Sequence, residues 1–126
     1  METIEINEDC KILLVTRAML NDSRFQDVAM MNVKIIDANL SDLEIEGAQL
    51  GGAYIHNIGM PPKGHPMYDV NASQRPLRFE NCDLHNSTIT NCNLSGVVLR
   101  DCNISGMIIN GIPVDKLLSE YEKTKK

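Results

Sequence analysis

A chain of 126 residues with 43% hydrophobic but only 4% aromatic content, and no Trp, must build its core from small and aliphatic side chains. Its formal charge of −5 comes with no basic stripe to displace condensed counterions, which excludes free nucleic acid as a ligand. No apolar run approaches the roughly 18 residues of a membrane span and no basic start precedes an apolar stretch, so a cytoplasmic protein of one domain, without membrane contact, is expected.

The first segment, "TIEINEDCKILLV", reads as a strand or an irregular lead-in, and its Cys10 has no assigned role. A five-residue period then begins. Its central position, i, is Leu20, Phe25, Met30, Ile35, Leu40, Ile45, Leu50 and Ile55. Position i−2 is Ala18, Ser23, Val28, Val33, Ala38, Leu43, Ala48 and Ala53, small or aliphatic throughout. Position i+2 is Asp22, Asp27, Asn32, Asp37, Asp42, Gly47, Gly52 and Asn57. Asp, Asn and Gly tolerate left-handed backbone or close a turn with their own side chain, so the chain turns a corner after each short extended step. A helix, with its period of about 3.6, does not fit, and neither does a flat strand. A coil of four five-residue sides does. Successive coils would stack at roughly 4.8 Å, with i and i−2 inward and i−1, i+1 and i+2 outward.

The register breaks between Ile55 and Phe79, because 24 residues is not a multiple of five. The segment "HNIGMPPKGHPMYDVNASQRPLR" holds four of the five prolines. An insertion over about 57–76 in a short domain is expected to be either a surface excursion or a recognition loop carried on a rigid scaffold. Lys63, His65, Tyr68 and Arg75 are its candidate contact residues.

The period resumes with i at Phe79, Leu84, Ile89, Leu94, Leu99, Ile104 and Ile109, so repeats occupy about 18–57 and 77–111. All fifteen central residues are apolar, and every i+2 residue of this block is again Asp, Asn or Gly. Three cysteines, Cys82, Cys92 and Cys102, fall in the i−2 slot at a ten-residue spacing. Twenty residues make one coil, so Cys82 and Cys102 stack and Cys92 faces them from across the coil. Stacked Cβ atoms at about 4.8 Å lie beyond the 3.5–4.5 Å of a disulfide, and core-filling free thiols are expected. Last comes "GIPVDKLLSEYEK", where Pro113 suits a helix start and Val114, Leu117, Leu118 and Tyr121 recur at helical spacing. A helix over about 113–124 would close the last coil or pair with a second copy to form a homodimer.

"IDANLSDLEIEGAQLGGAYI" and "NCNLSGVVLRDCNISGMII" resemble the pentapeptide-repeat family, with its A(D/N)LXX unit. That resemblance implies an all-β fold: a right-handed quadrilateral parallel β-helix of about four coils, with a C-terminal capping helix. Some members, those conferring quinolone resistance, look like B-DNA in size and charge and occupy the DNA-binding saddle of DNA gyrase. Residues 1–58 hold ten acids and four bases, whereas 59–126 hold seven acids and eight bases, so only the first part shares that character.

No phosphate loop, nucleophile elbow or Cys-x-x-Cys pair is present, and His56, His65 and His85 have no metal-ligand spacing. Asp22, Asp42, Glu44 and Glu46 form an outward acidic face without a groove to tune them. No enzyme activity, cofactor or metal is expected. The outward surface does carry unusual residues at Met31, Ile36 and Tyr54, and coil stacking sets Lys34 under Tyr54 and Ile36 under His56. An exposed aromatic with aliphatic neighbours suits a protein partner. The expected role is therefore a protein-interaction scaffold that uses the loop and the Tyr54 side, the alternative being a gyrase-binding DNA mimic.

Overall fold

Left-handed backbone recurs at every fifth residue of the repeats. In the computed structural model, which describes residues 2–125, φ is positive at all fifteen i+2 positions, from Asp22 (66°) to Asn57 (56°) and from Asn81 (56°) to Gly111 (82°). A non-glycine residue with positive φ is uncommon, and Asp and Asn are the side chains that tolerate it best. The register also reaches one step further back than the residue types suggest, because Arg17 has φ 50°. Its side is centred on Val15.

The corners are of two kinds, in alternation. At one kind a backbone bond spans the corner: Ser23 N–H donates to Leu20 O (3.3 Å), Leu43 to Leu40 (3.1 Å), Ala53 to Leu50 (2.8 Å), Ser87 to Leu84 (3.2 Å), Val97 to Leu94 (3.1 Å) and Met107 to Ile104 (3.0 Å). These are β-turns with positive φ at their second central residue, the geometry that favours Asn or Gly there. At the intervening corners, such as Asp27, Asp37, Asn81, Asn91 and Asp101, the chain bends without that bond. Position i−1 reinforces several turns from outside. Asn39 Oδ1 accepts from the Ser41 N–H (3.1 Å) and hydroxyl (2.6 Å), and Asn93 does the same for Ser95.

The sides between corners differ from the expected stacked coil. Among the described residues the only strands are β1 (Ile108–Ile109) and β2 (Ile112–Pro113), an antiparallel pair, and the repeats carry no parallel ladder. Ile104 is half-buried and the other central residues stay exposed, from 44% at Met30 to 69% at Ile89. Cys82, Cys92 and Cys102 are exposed rather than core-filling, and Cys10 is exposed too. The outward Met19, Met31, Ile36 and Val98 are more exposed, at 71–85%, whereas the outward Ile108, at 63%, overlaps the central residues. Residues 20–23 and 39–44, twenty residues apart, line one open gap of 570 Å³. Corners twenty residues apart therefore border one open space. A corner is fixed by its own φ and side chain, whereas stacking needs backbone bonds between residues about twenty apart; the corner bonds take up only about one N–H in ten, and the backbone bonds found in the repeats are these local ones.

Two compact units make up the chain, Met1–His56 and Asn57–Lys126. The division falls at the start of the inserted loop. Within the second unit that loop is a series of tight turns. His65 N–H donates to Pro62 O (3.0 Å), Tyr68 N–H to His65 O (2.9 Å) and Ala72 N–H to Asp69 O (3.1 Å). Two side chains assist, His65 Nδ1 accepting from Met67 N–H and Asp69 Oδ1 from Asn71 N–H.

Burial is found at the C-terminal end of the second unit. Asn110 (φ 47°) and Gly111 (φ 82°) form the two-residue turn between β1 and β2, and a pair of positive φ values is what such a hairpin needs. Val114 N–H extends the ladder to Met107 O (2.9 Å). Pro113 then caps helix α1 (Val114–Thr124), its fixed φ of −59° being preorganised for a helix start. Asp115 in the first turn and Lys123 in the last complement the helix dipole, and Lys123 Nζ pairs with Glu120 (3.1 Å). Val114, 8% exposed, is the one buried side chain among the described residues, with Ile104, Met107 and Pro113 half-buried.

Candidate interaction surface

Positions i−1 and i+1 lie on the same outward face of a side, two residues apart, and the structure pairs them repeatedly. Asn39 bonds Ser41, Asn93 bonds Ser95, and Arg78 approaches Glu80 at 4.0 Å. Asp83 Oδ1 lies 2.6 Å from His85 Nδ1 and also accepts the His85 N–H at 3.1 Å. The hydrogen bond from the His85 ring, then that from its backbone, then its charge hold the Asp83 carboxyl below the usual carboxylate value.

Tyr54 and His56 are the aromatic case. Their rings stack with centroids 3.9 Å apart and planes 9° from parallel, on the first unit. Tyr54 is 80% exposed, so the stack is a flat surface turned to solvent. Met31, Lys34 and Ile36 are also exposed on this unit. The sequence singled out both rings but sought their neighbours one coil away. The signal for the stack itself was closer, in the two outward slots on either side of Ile55.

The loop residues belong to the second unit. Lys63, Tyr68 and Arg75 are exposed, and His65 is held by the turn through its Nδ1, which places a neutral ring's proton on Nε2. On helix α1 the expected stripe divides. Val114 is buried, while Leu117, Leu118 and Tyr121 remain open.

The acidic face is partly assembled: Asp22, Asp42 and Glu44 line the gap between residues 20–23 and 39–44. Among the described residues no three His, Cys, Asp or Glu side chains are grouped to hold a metal ion. The repeated cysteines have a local role that spacing alone did not reveal. Each thiol donates across a bend corner to the carbonyl two residues back: Cys82 to Glu80 (3.3 Å), Cys92 to Thr90 (3.3 Å) and Cys102 to Arg100 (3.2 Å). Among the described residues no helix is long and apolar enough to cross a membrane.

Residues 78–112 match the family described as Pentapeptide repeats, in eight copies. No curated protein and no solved structure matches the chain.

Proposed function

With residues 78–112 belonging to the pentapeptide repeats, which in general build a β-helix-type solenoid, we propose that the chain closes into a right-handed quadrilateral β-helix of about four coils and serves as a non-enzymatic, cytoplasmic protein-interaction scaffold. Closure is supported by energy. Taking a half-covered apolar side chain fully out of water contributes about 1 kcal/mol, and the fifteen central positions are all apolar. Closure at the twenty-residue spacing would also bring together the corners that border the 570 Å³ gap.

The observation that carries the interaction role is the exposed Tyr54–His56 stack. A flat, preorganised aromatic surface loses little side-chain entropy when a partner covers it, which is why aromatics dominate interface hot spots. The turn-rich loop with Lys63, His65, Tyr68 and Arg75 is a second contact element, and the open Leu117, Leu118 and Tyr121 offer a face for homodimerisation. The test is capture of partners from the host lysate by the intact protein, by Tyr54→Ala/His56→Ala, and by a chain with residues 57–76 replaced by a short Gly/Ser turn. A partner lost with either change supports the reading, and one retained by both rejects it.

A second reading, a DNA mimic that binds DNA gyrase, is favoured by one feature, the ten acids against four bases in residues 1–58. The near-neutral remainder weighs against it, because one copy would make only a short acidic rod. Inhibition of gyrase supercoiling by purified protein would support it, and unchanged supercoiling would remove it.

A further inference from the structure

We propose that Cys82, Cys92 and Cys102 form a thiol latch on the second unit. As free thiols they tie its bend corners and permit closure; as mixed disulfides with a small thiol they hold the coils open. The proposal rests on the closed-coil reading above.

Three equivalent sites carry it. The turn corners at Asn86, Gly96 and Gly106 each have a backbone bond, whereas among the described residues the corners at Asn81, Asn91 and Asp101 have none. At those three the Sγ of the following cysteine reaches the carbonyl preceding the corner, at 3.2–3.3 Å. A thiol is a weak donor, so each bond is small, but it is repeated at every such corner between residues 81 and 102. The first unit has no equivalent. Its bend corners at Asp27, Asp37 and Gly47 are followed by Val28, Ala38 and Ala48, which cannot donate.

All three thiols are free and exposed in the open coil. Closure would turn the same i−2 positions inward, into a slot that elsewhere holds nothing larger than Leu or Met, and most often Ala, Val or Ser. Reactivity and closure are then mutually exclusive. In the open state a cysteine thiolate attacks one sulfur of glutathione disulfide, forming a mixed disulfide and expelling glutathione thiolate, while the thiol proton passes to solvent. The attached tripeptide is charged and far larger than the slot, so the modified coil cannot close. A reducing thiol reverses the exchange and restores the latch.

The experiment uses full-length protein carrying Cys10→Ser, with a second version that also carries Cys82→Ser, Cys92→Ser and Cys102→Ser. Each is incubated with glutathione disulfide in native buffer. Intact mass and the far-ultraviolet circular dichroism melt are then followed before and after dithiothreitol. The expected result is a cooperative melt in both untreated proteins. It should be lost only in the three-cysteine version as adducts accumulate, and recovered on reduction. Three adducts with an unchanged melt would overturn the latch and leave the closed coil standing. So would adducts that form only once urea unfolds the chain, or a loss of two hydrogens marking an internal disulfide. An untreated protein with no cooperative melt in either version would overturn the closed coil itself, and the latch with it.

Discussion

The imidazole of His56 lies flat against the phenol ring of Tyr54, 3.9 Å between centroids, although Ile55 separates the two in sequence. The same two-residue step joins Asp83 to His85 and Asn93 to Ser95. A repeat side therefore presents its outward residues as pairs, and the identity of the pair decides what that side can recognise. Because both rings are exposed, Tyr54→Ala with His56→Ala should change folding stability by no more than about 0.5 kcal/mol in urea melts. Partner capture should fall sharply. A large loss of stability would mean the stack is structural.

Leu40 sits at a central position and Ile36 at an outward one, 47% and 73% exposed. Closure would bury the first and leave the second in water. Leu40→Asp should abolish the cooperative melt, since an unpaired carboxylate cannot be buried without a cost of several kcal/mol. Ile36→Asp should leave the melt near wild type. Equal effects of the two would reject the register.

Asn110 and Gly111, with φ of 47° and 82°, turn the hairpin that leads into helix α1. Gly111→Ala should destabilise the C-terminal end by about 1 kcal/mol, because a Cβ disfavours that backbone region. Truncation after Gly111 removes β2, Val114 and the helix together, and should lower solubility or change the oligomeric mass in sedimentation. An unchanged profile and melting point would show that this end caps nothing.

The Asp83 carboxyl, bonded by the His85 ring and backbone, should titrate below its ordinary value of 3.8. A depressed carboxylate pKa adds stability that is fully present above the unfolded value and is lost as pH falls through the folded one. With both side chains exposed the contribution is small, so the direct readout is the carboxyl carbon shift of Asp83 by NMR. His85→Ala should raise its midpoint toward the ordinary value. No movement would mean that the pair does not persist in solution.

The corners were legible because Asp, Asn and Gly at one slot in five declare the backbone they permit, and all fifteen adopt it. Arg17 was not legible, since nothing in an arginine side chain marks left-handed backbone. The Asn110–Gly111 hairpin was hidden for a different reason: the five-residue register had already claimed Gly111 as one more corner. The alternation of bonded and bent corners could not be read from residue type, as Asp, Asn and Gly serve both kinds. The thiol bonds followed from that alternation and were hidden with it. Tyr54 stood out in the sequence as an outward aromatic, with Lys34 as its expected neighbour, but the ring it contacts is that of His56, two residues along the same side.

Amide hydrogen exchange along the repeats tests coil closure most directly. Stacked coils pair the backbone N–H groups of neighbouring sides, so slow exchange should recur on successive sides through residues 18–57 and 77–111, strongest around the central residues. Protection confined to helix α1 and the β1–β2 hairpin, with the repeat sides exchanging as freely as an unstructured chain, would contradict closure.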